Sequence, residues 1–176
     1  MESRTKIFGH AIHPILIVFP LGLLATAVVF DWIGWGTGNG KWLEISFWMI
    51  AAGIIGGLAA ALFGLIDWLA IPSDTRAKTI GLWHGLGNVV VMFLFVVSWL
   101  LRSPNPPNPG LFPLALSLLG AGLALVTGWL GGELVERLGV GVDSGANLNA
   151  PNSLSGHPAT ETSGRPVAGM SGRPAV

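Results

Sequence analysis

Four long apolar stretches dominate this chain, at about residues 14–35, 42–71, 80–101 and 111–134. A bilayer core is crossed by about 20 apolar residues in a helix, and each stretch is long enough. The connections "GTGNG", "PSDTRAKT" and "RSPNPPNPG" are short and rich in turn-forming residues, so successive helices lie antiparallel as neighbours. The expected fold is an all-α membrane protein: a four-transmembrane-helix antiparallel bundle over residues 1–138, followed by a disordered C-terminal tail.

Composition agrees. Charged residues make up 10% and hydrophobic residues 51%, whereas soluble domains carry roughly 25% charged residues. Glycine is frequent in membrane helices, and there are 26 here. A net charge of zero provides no electrostatic footprint for nucleic acid. The absence of cysteine excludes disulfides, thiolate zinc sites and Cys-ligated iron–sulfur clusters. The first apolar run is longer than a signal-peptide core and ends in "FDWIGWG" rather than a small-residue cleavage site, so it is expected to be retained. From residue 139 the chain turns rich in Gly, Pro, Ser, Ala and Asn. Such a segment cannot bury enough apolar surface to order itself, so residues 139–176 are expected to be a flexible tail, with His157 a bystander within it.

Basic residues set an orientation. Arg4, Lys6, Arg76, Lys78 and Arg137 fall on one side, and only Lys41 and Arg102 on the other. The expected topology is multi-pass, with both termini cytoplasmic. Trp32, Trp35, Trp42 and Trp99 near the far side, and Trp68 and Trp83 near the cytoplasmic side, read as interfacial belts.

Most intramembrane polar groups share the cytoplasmic leaflet: His10 and His13 at the entry of span one, Asp67 near the end of span two, His84 and Asn88 early in span three, and Glu133 late in span four. Ionisable residues inside a membrane point to function. In span two Gly53, Gly57, Ala60, Gly64 and Asp67 are spaced 4, 3, 4, 3, one face of a helix of the small-residue kind that packs closely; Asp67 is therefore expected inside the bundle. Gly81, His84 and Asn88 make a similar face. Pro14 suits a first helical turn, with His13 cap-like before it, and Pro20 frees the Leu16 carbonyl, which predicts a kink near His13. Each half of the chain begins with a His and ends with an acid (His13 and Asp67; His84 and Glu133), a faint internal echo.

Three stretches, "GHAIHPILIVFPLGLL", "GLIDWLAIPSDTRAKTIGLWHGLGN" and "GWLGGELVERLGVGV", together resemble a bacterial membrane-protein family known as domain of unknown function 2231, over about residues 9–142. Ala11 stands where that family often has Pro, and Glu136-Arg137 where its commonest variant has Tyr-Arg. Some members are associated with Rieske-type ferredoxins, so the resemblance implies a redox context and a cytoplasmic ferredoxin-like partner.

Three functions follow. The first is a redox or cofactor-binding membrane subunit. Here His13 and His84, with Asn88 beside them, hold a noncovalent haem b, and the glycines of span two with Gly81, Gly85 and Gly87 make room for the macrocycle. In a variant, His10, His13, Asp67, His84 and Glu133 hold a non-haem metal ion. The second is a non-enzymatic structural or anchoring protein with no cofactor. The third, ranked last, is a proton or ion transporter, because the polar groups avoid the midplane where transport sites lie. No nucleophile–base arrangement stands out, so no catalytic residue is assigned and enzymatic activity stays open. Beyond the lipid bilayer, the oligomeric state is not legible.

Overall fold

The computed structural model describes residues 1–162. A short antiparallel hairpin, β1 (Lys6–Ile7) and β2 (His10–Ala11), precedes the helices. Its turn places Phe8 at φ 50° and Gly9 at φ 80°, the paired positive angles of a tight hairpin. Then come α1 (Ile12–Leu16), α2 (Val18–Thr37), α3 (Gly40–Ala70), α4 (Arg76–Arg102) and α5 (Leu111–Gly132). A π-helical turn, Glu133–Arg137, extends α5. Four units are long and apolar enough to cross a membrane: Ile12–Thr37, Gly40–Ala70, Arg76–Arg102 and Leu111–Arg137. These are the four expected spans, lengthened at most of their ends.

Local chemistry explains the boundaries. Span one breaks between α1 and α2 at Ile17, one turn beyond the kink expected near His13; Pro20 cannot donate to the Leu16 carbonyl. His13 is helical rather than cap-like, because the helix starts two residues earlier, at Ile12 with Ala11 as N-cap. Gly38 ends α2 at φ 66°, the left-handed position that glycine fills most easily. Asn39 caps α3 by accepting from Lys41 N at 3.1 Å, and Thr75 caps α4 by accepting from Lys78 N at 3.1 Å. Lys78 also reaches back, its Nζ 2.8 Å from Trp68 O and 4.0 Å from the centre of the Trp68 ring. A cation there complements the negative end of α3.

Contacts are densest within two hairpins, α2 against α3 and α4 against α5; the α3/α4 seam is thinner and the α2/α5 seam thinner still. The hairpins repeat one another in register. His13, Leu24, Ala27 and Asp31 are each followed 71 residues later by His84, Phe95, Ser98 and Arg102. Gly53, Gly57, Ala60 and Gly64 are each followed 67 residues later by Gly120, Ala124, Thr127 and Gly131. All lie on inward rows with alternating spacings of 4 and 3, and a mean period of about 3.5 gives left-handed, coiled-coil-like packing. Paired glycines do the same work in each half. A Cβ on Gly53 would lie 2.6 Å from Leu24, and one on Gly120 would lie 2.9 Å from Phe95. The faint echo in the sequence is thus a real repeat, but its acids are not counterparts: Asp67 matches Leu134, not Glu133.

The core is small: Leu24, Ala27, Val28, Ile50, Val91 and Phe95. Large apolar side chains cover the outside, among them Ile55, Leu125 and Trp129, as a lipid-facing surface requires. Trp99 does not belong to an interfacial belt as expected. It packs on the core and stacks on Phe47 at 5.5 Å.

The chain before α1 folds over one end of the bundle as a strap. Part of the expected tail lies against it: Gly141 N donates to Met1 O at 2.8 Å, Asp143 pairs with Lys6, and Ser153 Oγ donates to Phe8 O at 3.2 Å. Residues 163–176, the rest of that expectation, lie outside the described residues.

Candidate functional site

The most buried polar cluster lies at the end of the bundle opposite the strap. Arg102 is fully buried. Its Nη1 and Nη2 donate to Asp31 Oδ1 and Oδ2 at 2.6 and 2.7 Å. Nη1 also donates to Ser46 Oγ (3.3 Å), Nη2 to Ser117 Oγ (3.0 Å) and Nε to Ser98 Oγ (3.1 Å). All five guanidinium donors are therefore used. Ser117 Oγ donates to Asp31 Oδ2 at 2.8 Å, and Ser98 Oγ to Pro113 O at 2.7 Å. One network joins α2, α3, α4 and α5.

The histidines occupy the other half of the bundle. His13 Nδ1 donates to Ala60 O at 2.8 Å, and His84 Nδ1 donates to Thr127 O at 2.8 Å. Each ring lies over a glycine: a Cβ on Gly64 would be 2.8 Å from the His13 ring, and one on Gly131 would be 3.0 Å from the His84 ring. Glycine is required because the imidazole must reach a carbonyl of the facing helix. Asn88 joins His84, its Nδ2 3.2 Å from Nε2, and accepts from Thr127 Oγ1 at 3.0 Å.

The carboxylates go elsewhere. Asp67 accepts from Ser3 Oγ at 2.8 Å and from Arg4 N at 2.8 Å, which ties the strap to α3. Glu133 pairs with Arg76 at 2.6 Å, linking the π turn to the start of α4. His10 is exposed beside Ser153. In the strap, Lys6 bridges Glu2 and Asp143. The hydrogen bond from Lys6 holds the Glu2 carboxyl below the usual carboxylate range, and the bond to Asp143 raises Lys6 above the usual lysine range.

A family model described as predicted membrane protein (DUF2231) matches residues 9–144. The chain belongs to the DUF2231 family. No curated protein and no solved structure matches it. The matched region of this DUF2231 protein covers both histidine half-sites and the Asp31–Arg102 network.

Sequence reasoning placed His13, His84 and Asn88 together; the structure puts all three in the half of the bundle nearer the strap, with His84 and Asn88 in contact. It does not bring His10, Asp67 and Glu133 to them. Asp67 is not an inward ligand, because the strap supplies it with two donors. Among the described residues, no three His, Cys, Asp or Glu side chains gather as a metal site. Most of the glycines expected to make room for a macrocycle are covered, Gly53 by Leu24, Gly57 by Met92, Gly81 by Trp68 and Gly87 by Thr127, while Gly85 faces open space. Sequence reasoning missed Arg102, Ser46, Ser98 and Ser117, and treated Asp31 as a span-end residue. Arg102 abuts "SPNPP" and was read as a loop cation. The signal was periodicity: the row 84, 88, 91, 95, 98, 102 carries Arg102 onto the inner face.

Proposed function

We propose that this DUF2231 protein is a non-enzymatic structural or anchoring membrane protein. The observation that carries this reading is the Asp31–Arg102 network, which draws a polar group from each of the four spans and leaves no guanidinium donor free. A transport or redox site keeps groups available for its cargo. Here the buried charges are spent on each other and on three serines, so their effect is to hold helices together. We also propose that the strap end is cytoplasmic, in a bacterial inner membrane. Because Arg102 is internal, Lys41 is, among the described residues, the only Lys or Arg left at the surface on the far side, which sharpens the asymmetry of basic residues.

The test is the purified full-length protein in detergent, with absorbance spectra before and after dithionite and metal analysis of the same sample. The expected result is a featureless visible spectrum and substoichiometric metal. A Soret band, or one equivalent of iron, copper or zinc, overturns the proposal.

A further inference from the structure

The repeat gives the two hairpins like inner rows, so some contact must choose which hairpin meets which. Most of the repeated contacts do not choose, because they close a hairpin on itself. His13 bonds to Ala60 O within the first hairpin and His84 to Thr127 O within the second. Leu24 over Gly53 likewise matches Phe95 over Gly120. Apolar contacts between the hairpins, such as Phe47 stacked on Trp99, carry no sign, and lipid tails are as apolar as they are. The polar contacts are selective. Trp68 and Lys78 exchange bonds beside the connecting turn. Every other span-to-span hydrogen bond between the hairpins, among the described residues, ends on Asp31 or Arg102: Arg102 donates to Asp31 and Ser46, and Ser117 donates to Asp31.

We propose that Asp31 and Arg102 are the recognition pair of the hairpins: they fit the inner face of a first hairpin to a second hairpin, of its own chain or of a second copy of this chain, and exclude its like. Asp31 meets its own counterpart, Arg102, so the contact has the form of an isologous interface. Two first hairpins would therefore set Asp31 against Asp31, and two second hairpins Arg102 against Arg102. Like charges opposed across an interface are costly. No hydroxyl relieves the first case, because the counterparts of Ser98 and Ser117 are Ala27 and Ile50. In the native chain the attached second hairpin wins because it is tethered. The tether permits exchange. It is residues 71–75, with Asp74 at φ 62°, a left-handed angle that opening the turn releases. Extended, such a segment spans about 17 Å, more than the roughly 8–10 Å between packed helices, so α3 and α4 of one chain can stand in adjoining bundles. This inference rests on the structural role proposed above and deepens it by naming the partner that the charged face fits.

The test divides the two charges between full-length chains. Asp31→Leu and Arg102→Met, carrying different affinity tags, are co-expressed and purified through both tags in mild detergent. Within each chain the remaining charge has no opposite. Between the chains, exchange of hairpins restores the native ion pair in one bundle and leaves two apolar side chains facing each other in the other. A one-to-one complex should be recovered through both tags. Its yield should be about tenfold above that from two differently tagged wild-type chains, or from either variant with a differently tagged copy of itself. If this pair fails to accumulate, Asp31→Asn with Arg102→Gln, which remove the charges and keep polar side chains, is read in the same way. No enrichment with either pair, or equal recovery of a variant with its own copy, overturns the proposal. The absorbance and metal measurements judge the structural role separately.

Discussion

Asp31 and Arg102 stand at equivalent positions of the two hairpins, 71 residues apart, and close on each other through two bonds of 2.6 and 2.7 Å. The repeat thus brings an anion and a cation together where the halves meet, and three serines complete the shell. Removing one member of a buried pair strands the other charge, which costs about 3–5 kcal/mol, whereas replacing both with apolar residues is often neutral. Arg102→Met should therefore lower thermal stability in detergent far more than Asp31→Leu combined with Arg102→Met. A double variant as unstable as the single one would show that the charges are not the binding element.

Glycine substitutions should rank by what lies above each residue. A Cβ on Gly53 or Gly64 meets Leu24 or the His13 ring at 2.6 or 2.8 Å, and His13 cannot withdraw without losing its bond to Ala60. At Gly57 the obstacle is the Met92 thioether, which can swing aside. Gly128 faces open space. In thermal unfolding, Gly64→Ala and Gly53→Ala should lose stability on the order of 1–3 kcal/mol, Gly57→Ala less, and Gly128→Ala none. Equal effects at all four positions would contradict the packing.

The strap should respond to pH from both sides. Glu2 is held below the usual carboxylate range, chiefly by its hydrogen bond with Lys6, so its contribution is present above that range and lost as pH falls through its lowered value. Lys6 is raised, chiefly by its bond to Asp143, so its contribution is present below the usual lysine range and lost as pH rises through its raised value. Both groups are near the surface, so salt should weaken the effect. Limited proteolysis of residues 1–11 should be slowest between these limits and faster outside them. Asp67→Asn should speed cleavage across the whole range, because Asp67 holds Ser3 and Arg4.

Truncation after Asn147 should leave the bundle folded, since its buried core lies within the spans. It removes Ser153 from Phe8, so the strap should be cleaved faster while the melting temperature of the bundle stays nearly unchanged. A large fall in melting temperature would mean that the segment supports the helices themselves.

A reporter active only in the periplasm, fused after Val142, should be silent if the strap end is cytoplasmic. Strong activity would reverse the orientation.

The four spans, their order and the break near Pro20 were legible in the sequence because hydrocarbon imposes a length and an apolar composition on each helix independently of its neighbours. The small-residue row from Gly53 to Gly64 was legible for the same local reason, since a helix face depends only on spacing. Partnership was not. Whether Asp67 faces a histidine or a strap depends on where residues 1–11 fold, and the span pattern says nothing about that. Arg102 looked like a loop cation because proline and asparagine follow it. Only the bonds that it makes to α2, α3 and α5 show that its guanidinium turns inward, where Asp31 and three serines replace the water it gives up. The sequence determined which residues lie on each inner row; the tertiary structure decided which rows meet, because a buried hydrogen bond is a relation between two helices that neither one specifies alone.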